Sequence, residues 1–251
     1  MPGSIDFNSD LGEGAGTDAA IMPLVTSANI ACGGHAGNEN TMRTTIELAV
    51  RHKVAVGAHP GYPDRERFGR VAMDIPSREL IESIRRQIDS LVGIASRLGV
   101  RVTHVKAHGA LYNQGERDVA TARNILFGIQ AATGGHDLVI VAPPGSAMLE
   151  EARSMSMKTA REGFVDRAYE PDGTLQSRSI AGSVLTHPAD AVRQALAFVK
   201  EGGVRAVDGS FLKLEVDTIC VHGDTPGAPD IARAVHDALR DAKVKVAPFR
   251  P

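Results

Sequence analysis

The sequence predicts a parallel α/β barrel, and three observations carry that prediction. Short β-branched runs alternate with longer stretches of helical period, and parallel strands need crossovers of that kind. Several of the runs are continuously apolar, as strands buried on both faces are. Five of them end in a polar residue beside glycine or proline, and in parallel α/β folds the ligand site forms at those carboxyl ends. A closed barrel gathers all such ends in one ring. An open doubly wound sheet gathers only those beside its switch point, so the pattern favours closure.

In chain order, the first strand is read at 5–7 and runs into Asn8-Ser9-Asp10. A second, at 28–32, ends in Cys32-Gly33-Gly34-His35, and a weak apolar stripe (Met42, Ile46, Ala49) follows Asn38. The third strand, 54–58, ends at His59-Pro60. Leu80, Ile84, Ile88, Leu91 and Leu98 then form one helical face after Pro76-Ser77 and stop at Gly99. The fourth, 100–105, leads to Lys106-Ala107-His108-Gly109. Asp118 caps a helix through Val119, Ala122, Leu126 and Ile129 that ends at Gly134-Gly135. Strands at 138–142 and 159–161 follow, then a helix from Pro188 to Gly202. A strand at 218–221 ends in His222-Gly223-Asp224. Ile231, Ala234, Val235, Ala238 and Leu239 complete a last amphipathic helix behind Pro229-Asp230, and a short strand is read at 244–246. No linker or repeat divides the chain, so a single domain over 1–251 is expected, with a polar excursion at 162–186 beside its core.

Composition narrows the function. With 28 Lys+Arg against 30 Asp+Glu, the net charge of −2 exerts no long-range pull on nucleic acid or anionic lipid. The 2 cysteines cannot form a disulfide framework. The first residues lack the basic-then-apolar pattern of a secretion signal, and no run approaches a membrane span, which predicts a soluble, cytosolic protein.

Four of the 9 histidines, His35, His59, His108 and His222, stand at strand ends. Histidine titrates near neutrality and serves as acid, base or metal ligand. Asp6, Asp10 and Glu13 come from the first strand and its Gly12/Gly14 loop. Lys106, two residues before His108, points to the same side. Buried on a strand, it calls for an anion: substrate, or an internal partner such as Asp10 or Asp224. Arg70, Arg161, Arg167 and Arg178 could fork onto a carboxylate. Cys32 and Cys220 read as small buried hydrophobes, and the remaining histidines, His104 included, as structural. Walker, dinucleotide, H-E-x-x-H and paired C-x-x-C motifs are all absent.

Seven blocks in order resemble the LamB/YcsF family: DFNSDLGEG (6–14), ANIACGGHAG (28–37), GAHPGYPD with FGR (57–70), VKAHGALYN (105–113), REGFVDRAY (161–169), DGTLQSR (172–178) and ICVHGDTPGA (219–228). The resemblance departs at Gly34, where the family usually has an aromatic. It implies a distorted, seven-stranded (β/α) barrel of the glycoside hydrolase/deacetylase type. It also implies ATP-dependent opening of 5-oxo-L-proline to L-glutamate with two partner subunits, B and C, and ATP as co-substrate. The catalytic set expected is Asp10, His35, His59, Lys106 and His108. Asp10 or His35 would activate water, His59 and His108 would handle protons, and Lys106 would steady negative charge. Asn29, Arg70, Tyr112, Asn113, Arg161, Arg167, Arg178, His222 and Asp224 are expected to contact substrate. The alternative is a stand-alone metal-dependent deacetylase or amidohydrolase, its divalent ion held by Asp10, His35 and His59. A chain that only docks or channels substrate for its partners is a third reading.

Overall fold

The computed structural model describes residues 4–248. In order the elements are β1 (Asp6–Leu11), α1 (Asp18–Ile21), β2 (Ser27–Ala31), α2 (Glu39–His52), β3 (Ala55–His59), α3 (Ser77–Arg97), β4 (Val102–Lys106), α4 (Gly109–Arg117) and α5 (Val119–Ala131). They continue with β5 (Val139–Ala142), α6 (Ala147–Ser154), β6 (Thr159–Phe164), α7 (Pro188–Leu196), β7 (Gly203–Arg205), β8 (Phe211–Lys213), β9 (Thr218–His222) and α8 (Ala228–Asp241). Seven strands close a barrel in the order β1-β2-β3-β4-β5-β6-β9. Every barrel pairing is parallel, and β9 completes the ring by pairing with both β6 and β1, where Asp10 lies opposite His222. The seven-stranded α/β barrel expected from the sequence is the fold observed.

The helices form where their apolar stripes and caps place them. Asn38 and Thr41 make a reciprocal capping box at the start of α2. Asp118 accepts from the Ala120 and Thr121 amides to open α5. On α8, Ile231, Val235 and Leu239 are completely buried, and each such side chain contributes about 1.5–3 kcal/mol. Other parts departed from expectation. The helix read from Pro188 to Gly202 is α-helical only to Leu196, and continues as a π-helical turn over Ala197–Glu201. The strand read at 244–246 is a single bridge from Val246 to Ile5. The excursion begins after Phe164, because β6 runs on to that residue, and it is pinned by bridges Arg167–Val184 and Tyr169–Leu175. Three helices, α1, α4 and α6, and the separate antiparallel hairpin β7–β8 had no reading in the sequence.

The barrel interior is polar, which explains why β1 reads DFNSDL rather than as an apolar run. Alternate residues face inward, and Asp6, Asn8, Asp10, Ser27, Asn29, His104, Lys106, Glu162 and Thr218 are all buried there. They satisfy one another. Asn8 Nδ2 donates to Glu162 (3.0 Å) and Thr218 (2.7 Å), and Asn29 Nδ2 donates to Asn8 and Asp10 (both 2.8 Å). His104, read as structural, lies 3.0 Å from Asn29 Oδ1. Gly57 makes room for that imidazole, since a Cβ there would fall 2.1 Å from His104 Nε2.

At one end of this column Asp6 accepts from Ser27 (2.6 Å), Thr26 (2.7 Å) and Thr218 (2.5 Å). Burial outweighs those hydroxyls and pushes its carboxyl up to about 6. A carboxyl that holds its proton more tightly when folded contributes its full stability below its unfolded value of 3.8, and loses it as pH rises through 6. Against Asp6→Asn, wild-type unfolding free energy should therefore decline by about 2 kcal/mol between pH 4 and pH 7. Urea denaturation at both pH values measures it; a constant difference would mean that Asp6 titrates alike folded and unfolded.

Candidate active site

A cavity of about 730 Å³ opens at the carboxyl ends of the barrel strands, lined by Asp10, His59, Lys106, His108, Tyr112, Asn113, Phe164, Arg167, Arg178 and His222, among others. Residues from β1, β3, β4, β6 and β9 thus meet α4 and the excursion around one hollow. The lining includes most of the residues expected there, together with Arg70.

At its floor Lys106 Nζ donates to Asp10 (2.9 Å) and Glu162 (2.9 Å), and lies 3.1 Å from Cys220 Sγ. The lysine is 2% exposed. Burial alone would lower its pKa, but the two carboxylates hold it well above the ordinary lysine value. Burial would likewise raise Asp10; the Lys106 ammonium outweighs it and holds that carboxyl well below the usual range. Tyr112 Oη donates to the other oxygen of Glu162 (2.8 Å). Lys106 is therefore committed to internal ion pairs, one of them with Asp10 as the sequence allowed, and is not a free oxyanion donor.

One wall carries a compact histidine cluster. The rings of His35 and His108 stack at 3.6 Å, and His59 stands edge-on to both. Glu13 Oε1 lies 3.0 Å from His35 Nε2, 3.1 Å from His108 Nδ1 and 3.6 Å from His59 Nε2. Burial pushes the His59 imidazole down to about 3 and lowers that of His35. The donor set that converges is Glu13, His35, His59 and His108. It differs from the expected trio of Asp10, His35 and His59 in having Glu13 and His108 in place of Asp10, whose Oδ2 lies 3.5 Å from His59 Nε2 while its Oδ1 accepts from Lys106 and Asn29. Glu13 is held there by the turn between Gly12 (φ +72) and Gly14 (φ +88); a glutamate flanked by glycines just past a polar strand end was the available signal. His35 sits behind the cavity lining. Gln87, which had no reading in the sequence, seats Gly61 against it by bonding that glycine's N–H (3.0 Å) and C=O (2.9 Å). The side chain of Gln87 occupies the space beside Gly34, where a Cβ would fall 2.3 Å from its Oε1.

Opposite stands a second pair. Asp166 accepts from His222 Nδ1 at 2.9 and 3.0 Å and from Thr225 Oγ1 at 2.6 Å. That bond fixes the tautomer and leaves Nε2 an acceptor. The His222 ring stacks on Phe164 (5.0 Å, 12°) and lines the cavity. Asp166 had no reading as a site residue.

The arginines divide. Arg167 is 7% exposed, and its guanidinium donates only to the carbonyls of Gln176 (2.6 Å) and Ser183 (3.4 Å). It forms no ion pair among the described residues. Burial first, then the neighbouring Arg178, lowers its pKa to about 10. Arg70 is paired with Asp224, whose other oxygen lies 4.0 Å from Arg178; Asp224 serves as counter-charge to the arginines and does not line the cavity. Arg161 is a correction. Its even-numbered neighbours on β6 face the barrel interior, so it points outward, where it pairs with Asp217 and Glu215 (both 2.9 Å). Asn29 is another, since it lies beneath the cavity and supports Asp10.

Comparison with known proteins accords with this architecture. Residues 5–251 match the sequence profile of the LamB/YcsF family. The chain belongs to that family. It is 46% identical over 250 residues to a protein of Paracidovorax citrulli named as the A subunit of 5-oxoprolinase, covering 98% of this chain and 99% of the relative. A Pyrococcus furiosus protein of the same name is 44% identical over 250 residues, with coverage of 98% and 97%. The crystal structure of the lactam utilization protein from Thermus thermophilus superposes with a TM-score of 0.91 at 43% identity, covering 98% of this chain and 100% of that one. A T48 deacetylase structure, at 13% identity, TM-score 0.50 and coverage of 99% and 94%, shares the fold alone. Among the described residues no helix is long and apolar enough to cross a membrane.

Lys106→Met should destabilise the protein by about 3–5 kcal/mol at pH 7, because it leaves Asp10 and Glu162 buried without their cation. The gap to wild type should narrow toward pH 4, as the Asp10 carboxyl, without its cation, becomes able to take up a proton. Denaturation curves at the two pH values check it; a loss below about 1 kcal/mol at pH 7 would mean that the triad is solvated.

Proposed function

We propose that this chain is the A subunit of an ATP-dependent 5-oxoprolinase, which opens 5-oxo-L-proline to L-glutamate together with partner subunits B and C. The carrying observation is the near full-length identity, 46% and 44%, to proteins that bear that name. The geometry supplies residues suited to each demand of the reaction. ATP is the co-substrate of the assembled enzyme; phosphorylation of the ring amide oxygen makes C5 electrophilic, breaking C5–N after water adds leaves the acyl phosphate of glutamate, and a second water then releases phosphate to give L-glutamate.

Arg167 is the natural acceptor of the substrate carboxylate, being a buried guanidinium on the cavity wall with only backbone carbonyls as partners. Arg178 adds a second cation on the same wall. The His222–Asp166 pair is suited to general base and then general acid: Nε2 takes a proton from the water that attacks C5 and returns it to the ring nitrogen as the C5–N bond breaks. Asp166 orients the imidazole and balances its charge. This differs from the expectation that His59 and His108 handle the protons. His59 Nδ1 donates to the Lys106 carbonyl (2.8 Å) and His108 Nε2 to the Phe68 carbonyl (2.9 Å), so the neutral rings have no proton facing the cavity. Water activation likewise passes from Asp10 or His35 to His222. The stand-alone deacetylase alternative rests on a likeness of fold and on the Glu13–histidine donor set, against near full-length identity to proteins named as 5-oxoprolinase subunits.

The test is glutamate release from 5-oxoproline and ATP with the two partner proteins present. His222→Gln should lower kcat at least ~100-fold with little change in KM, the range expected for loss of a general base. Arg167→Lys should raise KM roughly tenfold or more while sparing kcat, since a point charge replaces a fork. Turnover that needs neither ATP nor partners, or that survives both substitutions, would defeat the reading.

A further inference from the structure

The hydrogen bonds around the histidine cluster leave a gap that a proton-free description does not close. His59 spends its Nδ1–H on the Lys106 carbonyl, and His108 its Nε2–H on the Phe68 carbonyl. A carbonyl oxygen only accepts, so both tautomers are fixed. The two remaining nitrogens, His59 Nε2 and His108 Nδ1, face one another at 3.0 Å with lone pairs on both. Glu13 Oε1 adds a third acceptor, 3.1 Å from one and 3.6 Å from the other, and His35 Nε2 stands 3.0 Å from that oxygen. Acceptors crowded this closely in a buried place repel one another unless a cation lies among them.

The distances say which kind. An ion bound tetrahedrally at about 2.0–2.1 Å sets its ligands roughly 3.3 Å apart. The four separations given above run from 3.0 to 3.6 Å. Backbone carbonyls on the far nitrogens of His59 and His108 are the partners that orient metal-bound imidazoles. We propose that Glu13, His35, His59 and His108 bind one divalent transition-metal ion of the zinc class. Three imidazoles and a single carboxylate oxygen favour zinc or cobalt over the hard, oxygen-seeking magnesium and calcium. Because His59 and His108 reach the cavity wall while Glu13 and His35 lie behind it, the ion would tie the loop after β1 to the ends of β3 and β4. It would also stand beside Asp10, whose Oδ2 is 3.5 Å from His59 Nε2. This inference is separate from the reaction proposed above, and binding reads it without turnover.

The experiment uses the full chain stripped with a chelator, then titrated with Zn2+ by calorimetry and with Co2+ by visible absorption. Expected are one equivalent of zinc and the intense ligand-field bands of four-coordinate cobalt. Glu13→Gln and His35→Ala should each weaken zinc binding at least ~100-fold while far-UV dichroism stays native. Arg161→Gln, on the outer barrel face, should bind as wild type does. Natively folded wild type that takes up neither metal at one equivalent overturns the proposal and leaves a proton shared by His59 and His108 as the cation. Stoichiometric binding that both ligand substitutions leave intact overturns it equally, by placing the metal elsewhere.

Discussion

The Lys106 ammonium between Asp10 and Glu162 is the interaction on which the arrangement turns. Three charges inside a parallel barrel would be prohibitive singly, since each loses its hydration. Together they are tolerated because opposite charges lie side by side and each group has further partners: Asn29 on Asp10, Tyr112 and Asn8 on Glu162, Cys220 against the ammonium. The triad also links β1, β4 and β6, which are not neighbours in the ring. An interior of leucine and valine would hold the strands as well, but would not fix carboxylates at the cavity floor.

From that floor the site divides into two walls of different character. The histidine–Glu13 wall is built of acceptors, closed off by backbone carbonyls and packed against glycines. At Gly61 a Cβ would lie 2.6 Å from His35 Nδ1, and at Gly69 (φ +62) a Cβ would lie 2.8 Å from His35 Cβ, so the main chain closes on the imidazoles only where side chains are missing. The opposite wall carries a histidine whose free nitrogen meets the cavity, and a buried guanidinium with no carboxylate of its own. One wall is suited to holding a cation and the other to receiving an anion and moving a proton. Both are rooted in barrel strands, which lets loop residues such as Glu13 and Arg167 be placed with the rigidity of the sheet.

Much of the fold was legible because periodicity and caps are local. The stripes of α3, α5 and α8, the cap at Asp118 and all seven barrel-strand positions follow from neighbours within a turn or two. Where the reading fell short, a non-local term had prevailed. The short gap between Pro143 and the start of α6 gave too little pattern to read, and α4 begins at a positive-φ glycine (Gly109, +54) directly after His108. The β7–β8 hairpin strands are 3 residues each, too short to carry a readable alternation. Arg161 was misassigned because composition cannot say which parity of β6 faces inward; Glu162 settles that only once Lys106 is known to lie across the barrel.

By itself the sequence determined that this is a parallel barrel whose strand ends carry histidines, acids and a lysine, because alternation, capping and residue type are properties of short stretches of chain. Tertiary structure alone decided which of those groups touch. It joined Lys106 to Glu162, far along the chain, set Glu13 rather than Asp10 among the histidines, and gave His222 the partner Asp166. The physical reason is that partner choice depends on strand register and on the direction each inward side chain takes once the ring has closed. Ring closure is a property of the whole chain.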